Sequence, residues 1–486
     1  GGRCPPTGAV APQRPAAETA AFPLSRRHRP AGRLPPSPHV RQEDPLTTRR
    51  PRIVIVGAGF AGYQCARTLL RRAKGAAEIV IINPNDYFLY LPLLPDVAGG
   101  GLEPRRVTVS LTGTLPGVRL VLGEADGIDL EGRTVRWTDP EGNRGELEYD
   151  RLVLTVGSVN KLLPVPGVAE HAHGFRGIAE ALHLRDHITR QVEMAGAAPT
   201  LAERQARTTF VVVGAGYTGT EVTAQGVRLT DALHRHDSVL ANGPRPRWLL
   251  ADIADRVLPE LDPRLSATAD RVLRGRGVDV RTGTSVAEAT ATGVHLSDGT
   301  FVPSRTLVWC VGVRPDPFVE SLGLPTEQGR LCVESTLRVP GRPEVFACGD
   351  AAAVPDLTRS GEPTAMTAQH AHRQGKLAAH NIAASFGHGT EREYVHHDLG
   401  FMVDLGGRDA AANPLRLPLS GLPAAAVTRA YHLLSQPGNR ARVAADWALD
   451  AVLPRHGVQL GVVPPDAVSL ETTAPADPQR RRSARA

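Results

Sequence analysis

Arg52-Ile53-Val54-Ile55-Val56 running into Gly57-Ala58-Gly59-Phe60-Ala61-Gly62 is the stretch that decides the fold. A β-branched run enters G-x-G-x-x-G and continues as a helical stretch through about Arg72, the strand–turn–helix context that a dinucleotide fingerprint requires. Gly57 permits the tight turn. Gly59 removes a Cβ where backbone must approach a pyrophosphate, and Gly62 lets helix and strand pack closely. The helix N-terminus then offers unpaired N–H groups and a partial positive charge to phosphates. A second strand over 78–82 ends at Asn83, 21 residues after Gly62, about where an acidic residue usually takes the adenosine ribose. Asn accepts a hydrogen bond there but brings no charge.

The pattern recurs. Thr209-Phe210-Val211-Val212-Val213 runs into Gly214-Ala215-Gly216-Tyr217-Thr218-Gly219, again before a helical stretch. Its second strand is read over 248–251, ending at Asp252, with a polar surface insertion at 234–246 lengthening the loop. A single G-x-G-x-x-G matches glycine-rich turns by chance; two copies in the same context argue for two nucleotide sites. Leu152-Val153-Leu154-Thr155-Val156-Gly157 and Leu307-Val308-Trp309-Cys310-Val311-Gly312 are a further echo, each a buried-strand pattern ending in Gly. Each half therefore reads as one nucleotide-binding unit.

Working outward, the 486 residues suggest two or three domains. The net charge of +6 resides in the ends, because residues 1–50 carry nine Arg against three acids and 471–486 four Arg against two. The body is close to neutral, so a basic partner surface for nucleic acid is not indicated. Ten prolines and no apolar periodicity mark 1–50 as a disordered extension without a secretory h-region. No apolar run reaches the roughly 18 residues of a spanning helix, which leaves only peripheral membrane contact. The five cysteines are scattered, with no C-x-x-C. A disulfide framework, a zinc site and a dithiol redox centre are thereby disfavoured, and a reducing compartment is expected.

Val345-Phe346-Ala347-Cys348-Gly349-Asp350-Ala351-Ala352 is the third landmark. Together with the two fingerprints it resembles the two-dinucleotide-binding-domain flavoproteins, and within them the type II NADH:quinone oxidoreductases. Tyr87–Pro95, Gly214–Glu221 and Ala368-Gln369-His370-Ala371-His372-Arg373-Gln374-Gly375 carry the closer likeness, with Arg373 where the first of a paired Gln is usual. The resemblance implies an α/β fold of two nested Rossmann-like domains, glutathione-reductase-like, with a small C-terminal helical appendage. Its implied boundaries are an FAD-binding domain at 51–165 and 335–400, an NAD(H)-binding domain at 166–334, a C-terminal segment at 401–470 and a disordered tail at 471–486.

The resemblance also implies roles. FAD binds through the first fingerprint, Asn83, Gly349 and Asp350. NADH binds through the second fingerprint and Asp252, whose charge repels a 2′-phosphate and so favours NADH over NADPH. Glu221 lies where nicotinamide meets flavin, although the same carboxylate suits a helix N-terminus on dipole grounds alone. Gln369 and His370 are the expected contacts of flavin ring and acceptor. His370, His372 and His380 share one helix, but no carboxylate–His pattern supports a metal. Flavin carries the difficult redox chemistry, so the expected activity is a non-proton-pumping NADH dehydrogenase passing electrons to quinone. A soluble NAD(P)H-dependent reductase with another acceptor, and a flavin-binding redox sensor, are the alternatives.

Two C-terminal helices are read at 422–434 and 439–453, the second with an apolar stripe of Val443, Trp447 and Ala451 flanked by Arg440, Arg442 and Arg455. Such a helix lies in a membrane interface or packs on the body. The expectations are a cytoplasmic enzyme with the inner face of the cell membrane as one placement, a homodimer as one oligomeric option, and nucleotide sites that survive loss of 421–486.

Overall fold

The computed structural model describes residues 49–470 apart from 237–240, 242, 360, 397–399 and 456. The readings of the N-terminal extension up to residue 48 and of the tail 471–486 fall outside these residues. In chain order, the elements that position the site are β1 (Arg52–Val56), α1 (Phe60–Ala73), β2 (Glu78–Asn83), β3 (Val118–Leu122), β4 (Arg151–Leu154), α2 (Ile178–Gly196), β5 (Thr209–Val213) and α3 (Tyr217–His236). They continue with β6 (Arg247–Ala251), α4 (Pro263–Gly275), β7 (Asp279–Arg281), β8 (Thr306–Trp309), β9 (Arg342–Ala347), α5 (Ala368–Ser385), α6 (Gly421–Ser435) and α7 (Arg440–Val452).

The two halves repeat one topology. In the first sheet the parallel strands run β3-β2-β1-β4-β9, and in the second they run β7-β6-β5-β8. Each sheet therefore reverses direction next to its first strand. That topological switch point is where an open α/β sheet offers a crevice at its strand ends, and each glycine loop begins there. Ile53, Val54, Ile55, Val211 and Val212 are essentially unexposed, because helices cover both faces and a parallel strand then needs apolar residues throughout. β9 returns from far along the chain to pair with β4, Val345 opposite Leu152.

Close helix packing explains one motif glycine. α1 lies along α5, and a Cβ on Gly375 would meet the Ala61 carbonyl oxygen at 2.2 Å. In the second half, Gly226 of α3 leaves room for Trp248, which stacks on Phe210 at 4.8 Å between ring centroids. α3 runs on through His236, and His234 is buried within it. The surface insertion read from 234 thus starts later, because Leu229, Ala232 and Leu233 keep that turn packed on the core.

The C-terminal segment packs on the body. Asp446 of α7 pairs with Arg106 at 2.8 Å, and Asp450 takes both Arg228 and Arg455. The Asn439 side chain donates to the Thr108 carbonyl at 3.0 Å, and Arg455 donates to the Gly99 carbonyl at 2.6 Å. The helical stripe is divided between core and solvent. Val443 is fully buried and Trp447 packs on the main core, with the Arg429 guanidinium 5.7 Å above its ring. Ala451 of the stripe is exposed, as are Ala444, Ala448, Leu449 and Val452.

Candidate active site

Both glycine loops open into one cavity of about 1040 Å³. Their glycines divide into two kinds. A Cβ on Gly57 would meet the Thr155 carbonyl oxygen at 2.4 Å, and one on Gly62 would meet the Gly57 oxygen at 1.9 Å. Gly214 and Gly219 repeat this against the Cys310 and Gly214 oxygens, at 2.2 and 1.8 Å. Gly57 and Gly214 also have φ near +93° and +99°, where L side chains are strained. Gly59 and Gly216 have nothing within 4 Å, so a Cβ there would project into the open cavity. Four glycines serve the fold, and two clear space at a helix N-terminus for a guest. This bare, N–H-rich cradle, present twice, fits two dinucleotides.

The strand-end residues hold these loops in place. Asn83 accepts from the Ala58 N–H at 2.8 Å, and Asp252 occupies the matching place by accepting from the Ala215 N–H. Asp252 also takes the Ala254 N–H, at 2.8 Å. Both side chains line the cavity. Thr155 completes the first loop by donating to the Val56 and Gly57 carbonyls at 2.8 and 2.9 Å.

Asp350 lines the cavity from the turn after β9, where the Ser158 hydroxyl donates to it at 2.5 Å and Arg176 lies 3.6 Å away. Gly349, at φ +74°, donates its N–H to Gln374 at 2.8 Å, and Gln374 in turn donates to Thr364. Gln369 also lines the cavity. Its amide nitrogen donates to the Gly400 carbonyl at 2.8 Å, while its Oε1 is buried without a partner. An orphaned acceptor in a cavity wall costs free energy unless a guest supplies a donor, which suits a bound ring with N–H groups.

Glu221 reaches the cavity from α3 and is partly buried, accepting from the Asp404 N–H at 3.1 Å. Burial pushes its carboxyl well above the ordinary range, and the Asp404 and Asp96 carboxyls add to the rise. Burial likewise raises Asp96 and Asp404, although Arg228, Arg429 and other guanidinium groups oppose it. The capping role that the sequence position of Glu221 allowed is replaced by a contact from another element, the Asp404 N–H.

His370 does not line the cavity. Its Nδ1 meets the Tyr394 hydroxyl at 2.9 Å, and its ring lies 4.0 Å from that of His396. Burial lowers it to about 4. Arg373 donates to His396 at 3.0 Å and His380 meets the Thr390 carbonyl at 2.9 Å. No group of His, Cys, Asp and Glu suited to a metal occurs among the described residues. Cys310 and Cys348 line the cavity, but burial pushes both thiols up to about 12, which leaves them poor nucleophiles.

Sequence reasoning missed Arg176, Tyr431 and His432, all of which line the cavity. Arg176 sits in a connection with no motif. Tyr431 and His432 belong to α6, and no local pattern says which of its faces meets the cavity. Among the described residues no helix is long and apolar enough to cross a membrane.

Residues 51–375 match the family described as pyridine nucleotide-disulphide oxidoreductase. Among curated proteins, the chain is 30% identical over 412 residues to the type II NADH:quinone oxidoreductase NdhA of Mycobacterium tuberculosis, covering 82% of this chain and 86% of that one. It is 30% identical over 396 residues to the demethylphylloquinone reductase NdbB of Synechocystis, covering 79% and 91%. Among solved structures, NDH2 from Plasmodium falciparum in complex with NADH superposes with a TM-score of 0.77 at 18% identity, over 84% of this chain and 100% of that one. The last comparison speaks to the fold.

Proposed function

Because this chain belongs to the pyridine nucleotide-disulphide oxidoreductase family, we propose that it is an FAD-dependent NADH:quinone oxidoreductase of type II, as its relatives are named. One observation carries the reading: two dinucleotide cradles open on a single cavity, with Glu221 in its wall. FAD, when bound, supplies a carrier that takes hydride from NADH and returns two electrons to the acceptor.

The protein's residues bind, orient and exclude water. The first loop, with its bare Gly59, the α1 N-terminus, Asn83 and the Asp350–Arg176 pair would hold FAD. The second loop, with Gly216 and Asp252, would hold NADH, and Asp252 would repel a 2′-phosphate. Glu221, held by the Asp404 N–H and pushed by burial towards its protonated form, offers a fixed polar group in the cavity wall. Gln369 stands in the wall of the same cavity.

Acceptor access calls for an apolar route. Leu422, Leu434, Leu449, Val452 and Leu453 are all more than half exposed on or beside α6 and α7, with Arg440 and Arg442 exposed nearby. Apolar burial plus attraction to anionic lipid is what holds a protein at a membrane interface, so this face is the membrane contact. A second copy covering it is the other outcome, visible as a dimer by light scattering.

The test is an acceptor screen on the purified yellow protein. NADH oxidation with a menaquinone analogue at a rate comparable to ferricyanide supports the reading. Reduction of ferricyanide and no quinone points to a reductase with another acceptor. Stable NADH-dependent bleaching with slow turnover to every acceptor points to a sensor.

A further inference from the structure

α6 brings His432 to the cavity wall, where its Nδ1 meets the Tyr90 hydroxyl at 3.1 Å. Both are nearly unexposed, Tyr90 at 2% and His432 at 6%. Their surroundings are apolar: Phe60, at the start of α1, lies 5.8 Å from the Tyr90 ring, and Leu91 and Leu94 line the same end. A purely structural wall would be served by Phe and Leu at these two positions, since buried polar side chains cost free energy. Ser435, half-buried at the end of α6, stands near the Tyr90 hydroxyl. Three proton-carrying groups thus lie between the partly exposed end of α6 and the cavity beside the first glycine loop.

We propose that Ser435, Tyr90 and His432 form a proton line that delivers the solvent proton consumed in quinone reduction, with His432 as the donor to the quinone oxygen. The proposal rests on the quinone reading above. The balance requires such a delivery: NADH + H⁺ + quinone gives NAD⁺ + quinol, and the hydride accounts for only one of the two hydrogens gained. Burial keeps Tyr90 protonated well past its ordinary range and lowers His432 to about 4, so the pair is a phenol and a neutral imidazole. Tyr90 then donates to Nδ1, which places the ring hydrogen on Nε2, the nitrogen left for a guest. As the electron pair reaches the quinone, the Nε2–H bond breaks and the quinone O–H bond forms. The Tyr90 proton moves to Nδ1, the Ser435 proton replaces it, and Ser435 regains one from solvent. Tautomer exchange of the ring restores the starting state. His432 is the catalytic residue of this line; Tyr90 and Ser435 act through it and position its hydrogen.

Ferricyanide separates the proton from the electrons, because it accepts electrons without taking up hydrogen. Tyr90→Phe removes only the hydroxyl, and His432→Gln keeps a polar side chain of similar reach. Both variants are expected to lower kcat with a short-chain menaquinone about tenfold or more and to change its solvent deuterium isotope effect. Quinone KM, FAD content and the ferricyanide rate should stay within about twofold. Wild-type quinone kcat and isotope effect in both variants overturn the proposal. An equal fall with both acceptors overturns it as well, by making the pair structural. A wild type that reduces ferricyanide but no quinone overturns this proposal together with the functional reading, and only that result touches the latter.

Discussion

Gly59 and Gly62 lie three residues apart, yet substitution should separate binding from folding. At Gly62 any side chain drives into the Gly57 carbonyl at 1.9 Å, so Gly62→Val is expected to yield insoluble or unfolded protein. At Gly59 the side chain enters open cavity, so Gly59→Val should remain soluble, with an unchanged far-UV spectrum, but be purified without FAD. Yellow Gly59→Val protein would show that the cradle does not hold the cofactor. Glu221 offers a second contrast. Burial pushes the Glu221 carboxyl towards its protonated form, which Glu221→Gln resembles in shape, so this variant should keep the stopped-flow rate of flavin reduction by NADH within about threefold. Glu221→Ala opens a hole beside the nicotinamide site and should slow that step about tenfold, or ~1.4 kcal/mol of barrier, with FAD retained. Equal rates in all three proteins would make Glu221 a packing residue. Asp252→Ala should narrow the preference for NADH over NADPH, measured as a ratio of kcat/KM; a wild type that prefers NADPH would contradict the role given to that carboxylate.

At the scale of elements, α6 and α7 carry two functions on opposite faces. Their inner faces bury Thr428, His432 and Val443 and bring ion pairs from Arg106 and Arg228 to α7. Deleting 421–486 therefore removes part of the core and uncovers the cavity, and the truncated protein is expected to be insoluble or to lose FAD. This reverses the outcome anticipated from sequence, where the helices looked separable. Their outer face can be tested without that damage. Leu449→Asp with Val452→Asp should leave thermal stability and NADH–ferricyanide activity unchanged while lowering binding to anionic liposomes at least tenfold. Unaltered sedimentation with liposomes would move the membrane contact elsewhere.

Over the whole molecule, buried acids and buried histidines set opposite pH trends. Burial raises Glu221 in the fold, so the stability linked to it is complete below the unfolded value near 4.5 and declines as pH rises. Glu221→Gln should accordingly gain Tm relative to wild type as pH increases from 5 to 8. Burial lowers His432 to about 4, so its contribution is complete above about 6.5 and is lost as pH falls through 4. His432→Gln should gain on wild type over that acid range, by up to roughly 3 kcal/mol. Parallel melting curves for either pair of proteins would contradict the burial of that group.

The sequence by itself determined what is written locally. Both strand–glycine–helix units, their Asn83 and Asp252 strand ends and the β9 segment were legible, because a fully buried parallel strand and a tight phosphate turn each constrain a short, contiguous run. Helices at 422–434 and 439–453 were legible for the same reason. Which face of α7 meets the core was not: Val443 and Trp447 fit a membrane stripe and a packing stripe equally, and only the body beneath them decided. Asp350 meets Ser158 across 192 residues and Tyr90 meets His432 across 342, pairings that no periodicity encodes. His370 sits in a motif whose neighbours Gln369 and Ala371 line the cavity, yet its own ring meets Tyr394 and His396 instead. Local geometry settles which backbone can cradle a phosphate; which distant side chains share that cavity is settled by how the two sheets and the C-terminal helices close around it.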